Sequence, residues 1–247
     1  MDENHKNYDT SIPQLVSYPR TGSHWLKTVM ERYLKKGTLP IPYFPETSEF
    51  WAYHLHDRFV GRGDEGVTKN FDKVIYLYRE PIDVIFSQLT FLKRAALLDN
   101  RPSRGRYISS KYDVFRQDNV KRISEEYFSH LKRWLYDNDD IKEIIFVTYK
   151  KLKNEPIKTL GTVLKFLNYE VDEDALDKAY KETTIESVSR QTTRYVGKRA
   201  VLTSIAIDQE HFNVNDDGIS GYDLLKQRFI EEYGQYVDKK FSEIFKE

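Results

Sequence analysis

An α/β fold, in three layers with a central parallel sheet flanked by helices, is what this 247-residue chain predicts. Three observations predict it. Strand-like apolar runs recur at Gln14–Tyr18, Lys73–Arg79 ("KVIYLYR") and Glu143–Tyr149 ("EIIFVTY"). Each run gives way to helical periodicity, and strands that alternate with helices imply parallel pairing through crossovers. The run at Lys73 is continuously apolar rather than alternating, as expected of a strand buried on both faces.

The elements follow in chain order. Residues 1–13 are polar and read as a flexible N-terminus. After the first strand, Ser23–Lys36 is helical, with Trp25, Leu26, Val29, Met30, Tyr33 and Leu34 along one stripe and Gly37 closing it. After the second, Pro81 stands where a first helical turn begins, and Ile82, Ile85, Phe86, Leu89 and Leu92 supply an apolar face. Lys93–Arg122 holds nine basic and three acidic residues with Pro102 and Gly105, so a basic loop or lid is expected over 93–119. Helical spacing returns over Val120–Tyr136. The third strand is followed by a helix over Pro156–Leu167, and Tyr222–Phe245 reads as a helix interrupted by Gly234. No repeat or low-complexity linker divides the chain, so 1–247 is expected to be one domain.

Composition narrows the function. Lys plus Arg and Asp plus Glu number 39 each, for a formal net charge of zero, so no global field points to nucleic acid or an acidic membrane. Cysteine is absent, which excludes disulfides and thiolate–zinc sites and suits a reducing compartment. The N-terminus lacks an apolar signal-type core, and no run approaches the roughly 18 apolar residues of a membrane span. A cytoplasmic location is the expectation.

Ligands of open parallel sheets bind beyond the carboxyl ends of the strands. The turn "YPRTGSHW" (Tyr18–Trp25) occupies such an end. Arg20 is a cation, Gly22 is flexible, Thr21 and Ser23 are small hydroxyls, and the free N–H groups of a helix start attract an anion. It is not a standard ATP-type phosphate loop, for which G-x-x-x-x-G-K-[ST] is required. A second anion signal follows the second strand: Arg79 ends it, and Ser87 lies eight residues on, inside the next helix. An arginine and a hydroxyl so placed can grip one phosphate.

Together these two segments resemble the signature of the cytosolic-type sulfotransferases, which use 3′-phosphoadenosine 5′-phosphosulfate (PAPS). "YPRTGSHW" is similar to that family's "YPKSGTTW"-like loop, with Arg20 in the lysine position and His24 for the second threonine. "REPIDVIFS" (Arg79–Ser87) is similar to its "R-N-x-x-D-x-x-x-S" segment, keeping Arg79, Asp83 and Ser87 in register. "VTYKKL" resembles the family's "YEDL" region, with Tyr149 in place and Lys150 where an acid usually stands. The resemblance covers about residues 14–170 and implies a P-loop-NTPase-like sulfotransferase fold. It further implies that Arg20, Thr21, Gly22, Ser23 and His24 hold the 5′-phosphosulfate and that Arg79 and Ser87 hold the 3′-phosphate. Trp25 and Tyr149 would flank the adenine. The family's histidine base sits in a "K-T-H" segment; in "WAYHLHDRF", His56 lies 23 residues before Arg79 and takes that slot, which puts His54 in the lysine slot. The C-terminal loop over the 3′-phosphate has no copy here, and "RQTTRYVGKRA" offers Arg194, Gly197 and Lys198 as the nearest substitute.

The implied reaction is sulfuryl transfer to a hydroxyl or amine of a small-molecule acceptor, leaving adenosine 3′,5′-bisphosphate (PAP). Arg20 would stabilise charge and His56 would act as general base. The alternatives are a non-catalytic nucleotide- or anion-binding module of the same fold and a nucleotide-dependent kinase; the latter lacks the Walker lysine and the Mg²⁺ carboxylate. No metal is expected, since His54 and His56 have no third partner in the sequence pattern. Neither nucleic acid nor membrane is an expected partner, and a homodimer is admitted. "GRGDEG" (Gly61–Gly66) fits G-x-G-x-x-G but precedes a strand, which fails the dinucleotide context. The aromatic-rich Leu39–His56 is suited to lining an apolar pocket or to filling the core.

Overall fold

A computed structural model describes residues 12–39, 48–56, 72–98, 115–139, 141–183 and 221–244. The chain separates into two compact units, Met1–Arg79 with Ser129–Val188 and Glu80–Phe128 with Ser189–Glu247.

The first unit carries the sheet. Its strands are β1 (Gln14–Ser17), β2 (Gly37–Leu39), β3 (Phe50–Leu55), β4 (Lys73–Tyr78) and β5 (Glu143–Thr148), in the order β2-β3-β1-β4-β5. Every pairing is parallel, with Val16 opposite Leu55, Ser17 opposite Leu77, and Tyr78 opposite Thr148. The carboxyl ends of β3, β1, β4 and β5 therefore stand side by side. Helices α1 (Ser23–Leu34), α4 (Tyr149–Asn154), α5 (Pro156–Phe166) and α6 (Glu173–Glu182) belong to the same unit.

Alternation along the strands sorts side chains between the two faces. Leu15, Ile75, Leu77 and Val147 join Leu26, Met30, Leu152, Leu160, Val163 and Leu176 of these four helices in one buried core. The other face carries Tyr76, whose ring stacks on Trp134 at 5.9 Å between centroids. Trp134 lies in α3 (Gln117–Leu135).

The second unit contains α2 (Pro81–Leu98), the first part of α3, and α7 (Gly221–Ile244). Phe86 of α2 and Phe229 of α7 pack with Phe115, at 5.3 Å from each other and 5.8 and 5.7 Å from Phe115. The Tyr233 hydroxyl donates to the Phe115 carbonyl at 2.7 Å.

Four stretches bear on the sequence expectation. Leu39–His56 contributes β3 and the last residue of β2, and Trp51 fills the core, one of the two roles expected of this stretch. The expected basic loop is helical at both ends, since α2 runs to Leu98 and α3 starts at Gln117; residues 99–114 lie outside the described residues. Gly234 does not interrupt α7, because buried Phe229, Tyr233 and Val237 hold the helix through it. A helical glycine costs only about 1 kcal/mol relative to alanine, which such packing overrides. Helix α1 stops two residues earlier than expected, where Lys35 turns into the left-handed region at φ 57°.

Candidate active site

The turn after β1 is built around two left-handed residues, Arg20 at φ 75° and Gly22 at φ 98°. For a non-glycine residue this conformation costs on the order of 1–2 kcal/mol and concentrates where function requires it. Thr21 closes the turn, its hydroxyl donating to the Tyr18 carbonyl at 2.8 Å. The N–H groups of Trp25 and Leu26 then donate to Gly22 oxygen and start α1. No side chain caps α1, and its first turn has no acidic residue. The leading amides and the positive end of the dipole are thus disposed toward an anion.

Gly22 is dictated by space as well as by φ. A Cβ there would lie 2.5 and 2.7 Å from Cδ2 and Cε2 of Tyr149. The tyrosine follows β5 directly, and the Arg79 guanidinium lies over its ring, 4.5 Å from the centroid. Trp25 meets the same ring edge-on at 6.4 Å and Tyr180 of α6 at 5.4 Å. Arg20, Gly22, Trp25, Arg79 and Tyr149 therefore share one end of the sheet.

Three imidazoles gather beside the turn. Ring centroids are 4.6 Å apart for His54–His56, 6.0 Å for His24–His54 and 6.4 Å for His24–His56. His24 is the third partner that the sequence pattern did not supply. Among the described residues no group of three or more His, Cys, Asp or Glu is arranged to hold a metal ion. His54 Nε2 lies 3.3 Å from Ser17 Oγ. His56 Nδ1 is 3.1 Å from the Ser17 carbonyl oxygen and 3.5 Å from Ser17 Oγ. A carbonyl only accepts, so Nδ1 carries the proton in this contact and Nε2 keeps its lone pair.

Burial sets the charge of the cluster. It pushes His24 down to about 3, helped by Lys27, His56 and Arg20. It also holds His54 well below its ordinary value, with His56, Lys27 and His24 adding to the effect. Neutral imidazole therefore stands in the slot where the family resemblance expects a lysine. A cation that sequence reasoning missed is Lys27, one turn into α1 and 4% exposed. Burial lowers it to about 8 while Glu31 opposes the shift.

The remaining sequence candidates fall differently. Ser23 is buried at the first position of α1. Ser87 is a buried residue of α2 in the second unit, where Asp83 of the same motif pairs with Lys226 of α7. Arg194, Gly197 and Lys198 lie outside the described residues, as does "GRGDEG". Ser17, Lys27 and His130 were not legible as site residues. Ser17 and His130 carry no motif signal, whereas Lys27 had one weak signal, a lysine on the first turn after a phosphate-type loop.

An uncapped helix start behind a strained turn, with cations and a histidine cluster at the ends of parallel strands, defines an anion-handling α/β protein. The sulfotransferase domain model matches residues 54–247, and the chain belongs to that family as an enzyme of the sulfotransferase type. It is 23% identical over 240 residues to mouse sulfotransferase 2B1, an alignment covering 89% of this chain and 67% of that protein. Human sulfotransferase 1C2 is 26% identical over 136 residues, 54% of this chain and 44% of the relative's length. The fold is similar to that of mouse sulfotransferase SULT7A1 solved with PAP, with a TM-score of 0.61 and 18% identity over 96% of this chain and 83% of that one. Among the described residues, no helix is long and apolar enough to cross a membrane.

Proposed function

We propose that this protein transfers a sulfuryl group from PAPS to the hydroxyl or amine of a small-molecule acceptor, with His56 as general base. The observation that carries the reading is the His56 contact. Its Nδ1–H donates to the carbonyl of Ser17, the last residue of β1, so Nε2 keeps a lone pair beside the anion turn.

The donor-site residues fit such a nucleotide. Arg20 and the amides of Thr21–His24 would receive the 5′-phosphosulfate, because the turn is strained, the helix is uncapped and no acid opposes an anion there. Arg79 would hold the 3′-phosphate, and Trp25 with Tyr149 the adenine, since the three side chains are already in contact at the strand ends. For Ser87 the support is its register in the sequence motif; Arg194, Gly197 and Lys198 enter by composition alone. Lys27 supplies the buried positive charge that His54 does not. PAPS supplies the sulfuryl group and the leaving phosphate. His56 Nε2 takes the acceptor proton while the acceptor atom bonds to sulfur, and Arg20 offsets the charge released on the departing oxygen.

The test pairs binding with transfer. PAP is expected to raise the melting temperature while ATP, lacking a 3′-phosphate, does so weakly. Radiolabelled sulfate is expected to pass from PAPS to members of a panel of alcohols, phenols and amines. Tight PAP binding without transfer to any acceptor would leave a nucleotide-binding module; equal stabilisation by ATP would overturn the donor assignment.

A further inference from the structure

His130 is buried, 0% exposed, and the sulfotransfer chemistry derived above makes no use of it. Its Nε2 lies 3.2 Å from the backbone oxygen of His56, and its Nδ1 lies 2.9 Å from the Tyr76 hydroxyl. The ring also meets Tyr18 edge-on, at 5.5 Å between centroids. The three partners come from three adjacent strand ends or strands: His56 follows β3, Tyr18 follows β1, and Tyr76 is in β4.

The donor roles follow from the acceptors. His56 oxygen is a carbonyl, so Nε2 must bring the hydrogen. Nδ1 is then the acceptor of the Tyr76 O–H. Burial pushes His130 down to about 3, opposed by the hydrogen bond to the His56 carbonyl, so the ring stays neutral and holds one proton. The His56 carbonyl decides which nitrogen has it, because a tyrosine hydroxyl can either donate or accept. Removing the Tyr76 hydroxyl leaves a buried nitrogen unpaired and takes away one of the two hydrogen bonds that hold the ring.

From this geometry we infer that His130, its ring braced by Tyr76, is a positioning residue that fixes the main chain of His56 and so aims its imidazole. The inference rests on His56 being the base. The base is held from two sides, its ring by the Ser17 carbonyl of β1 and its backbone by His130 of α3, and both anchors lie in regular elements rather than in a loop. A displacement of about 1 Å at a reacting group costs on the order of 100-fold in rate, so a buried clamp on the main chain is worth far more to turnover than to nucleotide binding.

The experiment compares four variants of the full chain, His130→Phe, His130→Gln, Tyr76→Phe and His56→Ala, by PAP affinity, kcat and acceptor KM. Melting temperatures identify variants that fail to fold. His130→Phe is expected to lose about 10- to 100-fold in kcat with PAP affinity unchanged. His130→Gln, which keeps an N–H near the Nε2 position, is expected to regain part of that loss. Tyr76→Phe removes only one oxygen and carries the test should His130→Phe not fold; it is expected to lower kcat in the same sense. Unchanged kcat in folded His130→Phe or Tyr76→Phe, while His56→Ala is inactive, overturns the positioning role and spares the base. Turnover retained in His56→Ala overturns the base itself. A loss of PAP affinity matching the loss of kcat would mean that His130 acts through Tyr18 and the anion turn, and would also overturn the inference.

Discussion

His24 and His130 are neutral because burial disfavours the imidazolium, and this makes stability depend on pH. Both have folded values near 3, below the ordinary value of about 6.5. Between those limits the unfolded chain binds more protons than the folded one. Stability is thus complete above about pH 6.5 and is lost as pH falls toward 3, by up to about 1.4 kcal/mol per pH unit for each histidine. Urea midpoints at pH 7 and pH 5 should show the decline, and His24→Thr should flatten it; a variant as acid-sensitive as the parent would remove His24 from the account. Arg79 makes a different prediction. Its guanidinium lies over Tyr149, so Arg79→Ala should weaken PAP at least tenfold, the loss of a charge-assisted contact worth about 1.5–3 kcal/mol. Affinity for the analogue without the 3′-phosphate should scarcely change, and calorimetry that finds both nucleotides weakened equally would reject the assignment. At this scale the sequence showed residue types and spacing for Arg20, Arg79 and His56. It could not show that Lys27 and His130 join the same end of the sheet, because their neighbours lie on other elements.

The turn between β1 and α1 is the element on which the proposed nucleotide binding depends. Gly22→Ala forces a side chain into φ 98° and into the Tyr149 ring. The conformation alone costs about 1 kcal/mol or more. Tyr149 must also move from beneath Arg79, so PAP affinity should fall along with the urea midpoint; a variant of parental affinity would show that Tyr149 does not serve the nucleotide. The turn was legible because proline, glycine and a following amphipathic stripe punctuate it. The helix over Pro156–Phe166 was legible for a similar reason, its proline at the first turn. Strands β2 and β3 were not. Gly37–Leu39 is only three residues long, and "FWAYHL" mixes aromatic, small and imidazole side chains with no clean period of two. Their strand character comes from pairing with β1 and with each other. Helix α6 carried an overlooked signal, Asp172 capping the Ala175 N–H ahead of Glu173 and Asp174.

For the molecule as a whole, binding and folding are linked. A ligand that binds only the folded chain stabilises it by about 2.7 kcal/mol at 100 times its Kd. PAP at that excess should raise the urea midpoint accordingly, and ATP at the same concentration should not; identical shifts would mean that the site reads adenine and charge but not the 3′-phosphate. The sequence by itself determined the class of the fold and the residue types of the turn proposed to receive the donor. Both are written locally, in continuous apolar runs, helical periodicity, and a Pro-Arg-Thr-Gly-Ser turn where a strand becomes a helix. Only the tertiary structure decided the company those residues keep. The strand order β2-β3-β1-β4-β5 brings His54 and His56 against Ser17 and drives Gly22 onto Tyr149, and His130 bonds the backbone of His56. Parallel pairing joins residues far apart in the chain, and burial at those meeting points keeps His24, His54 and His130 neutral, so neither could be read from spacing alone.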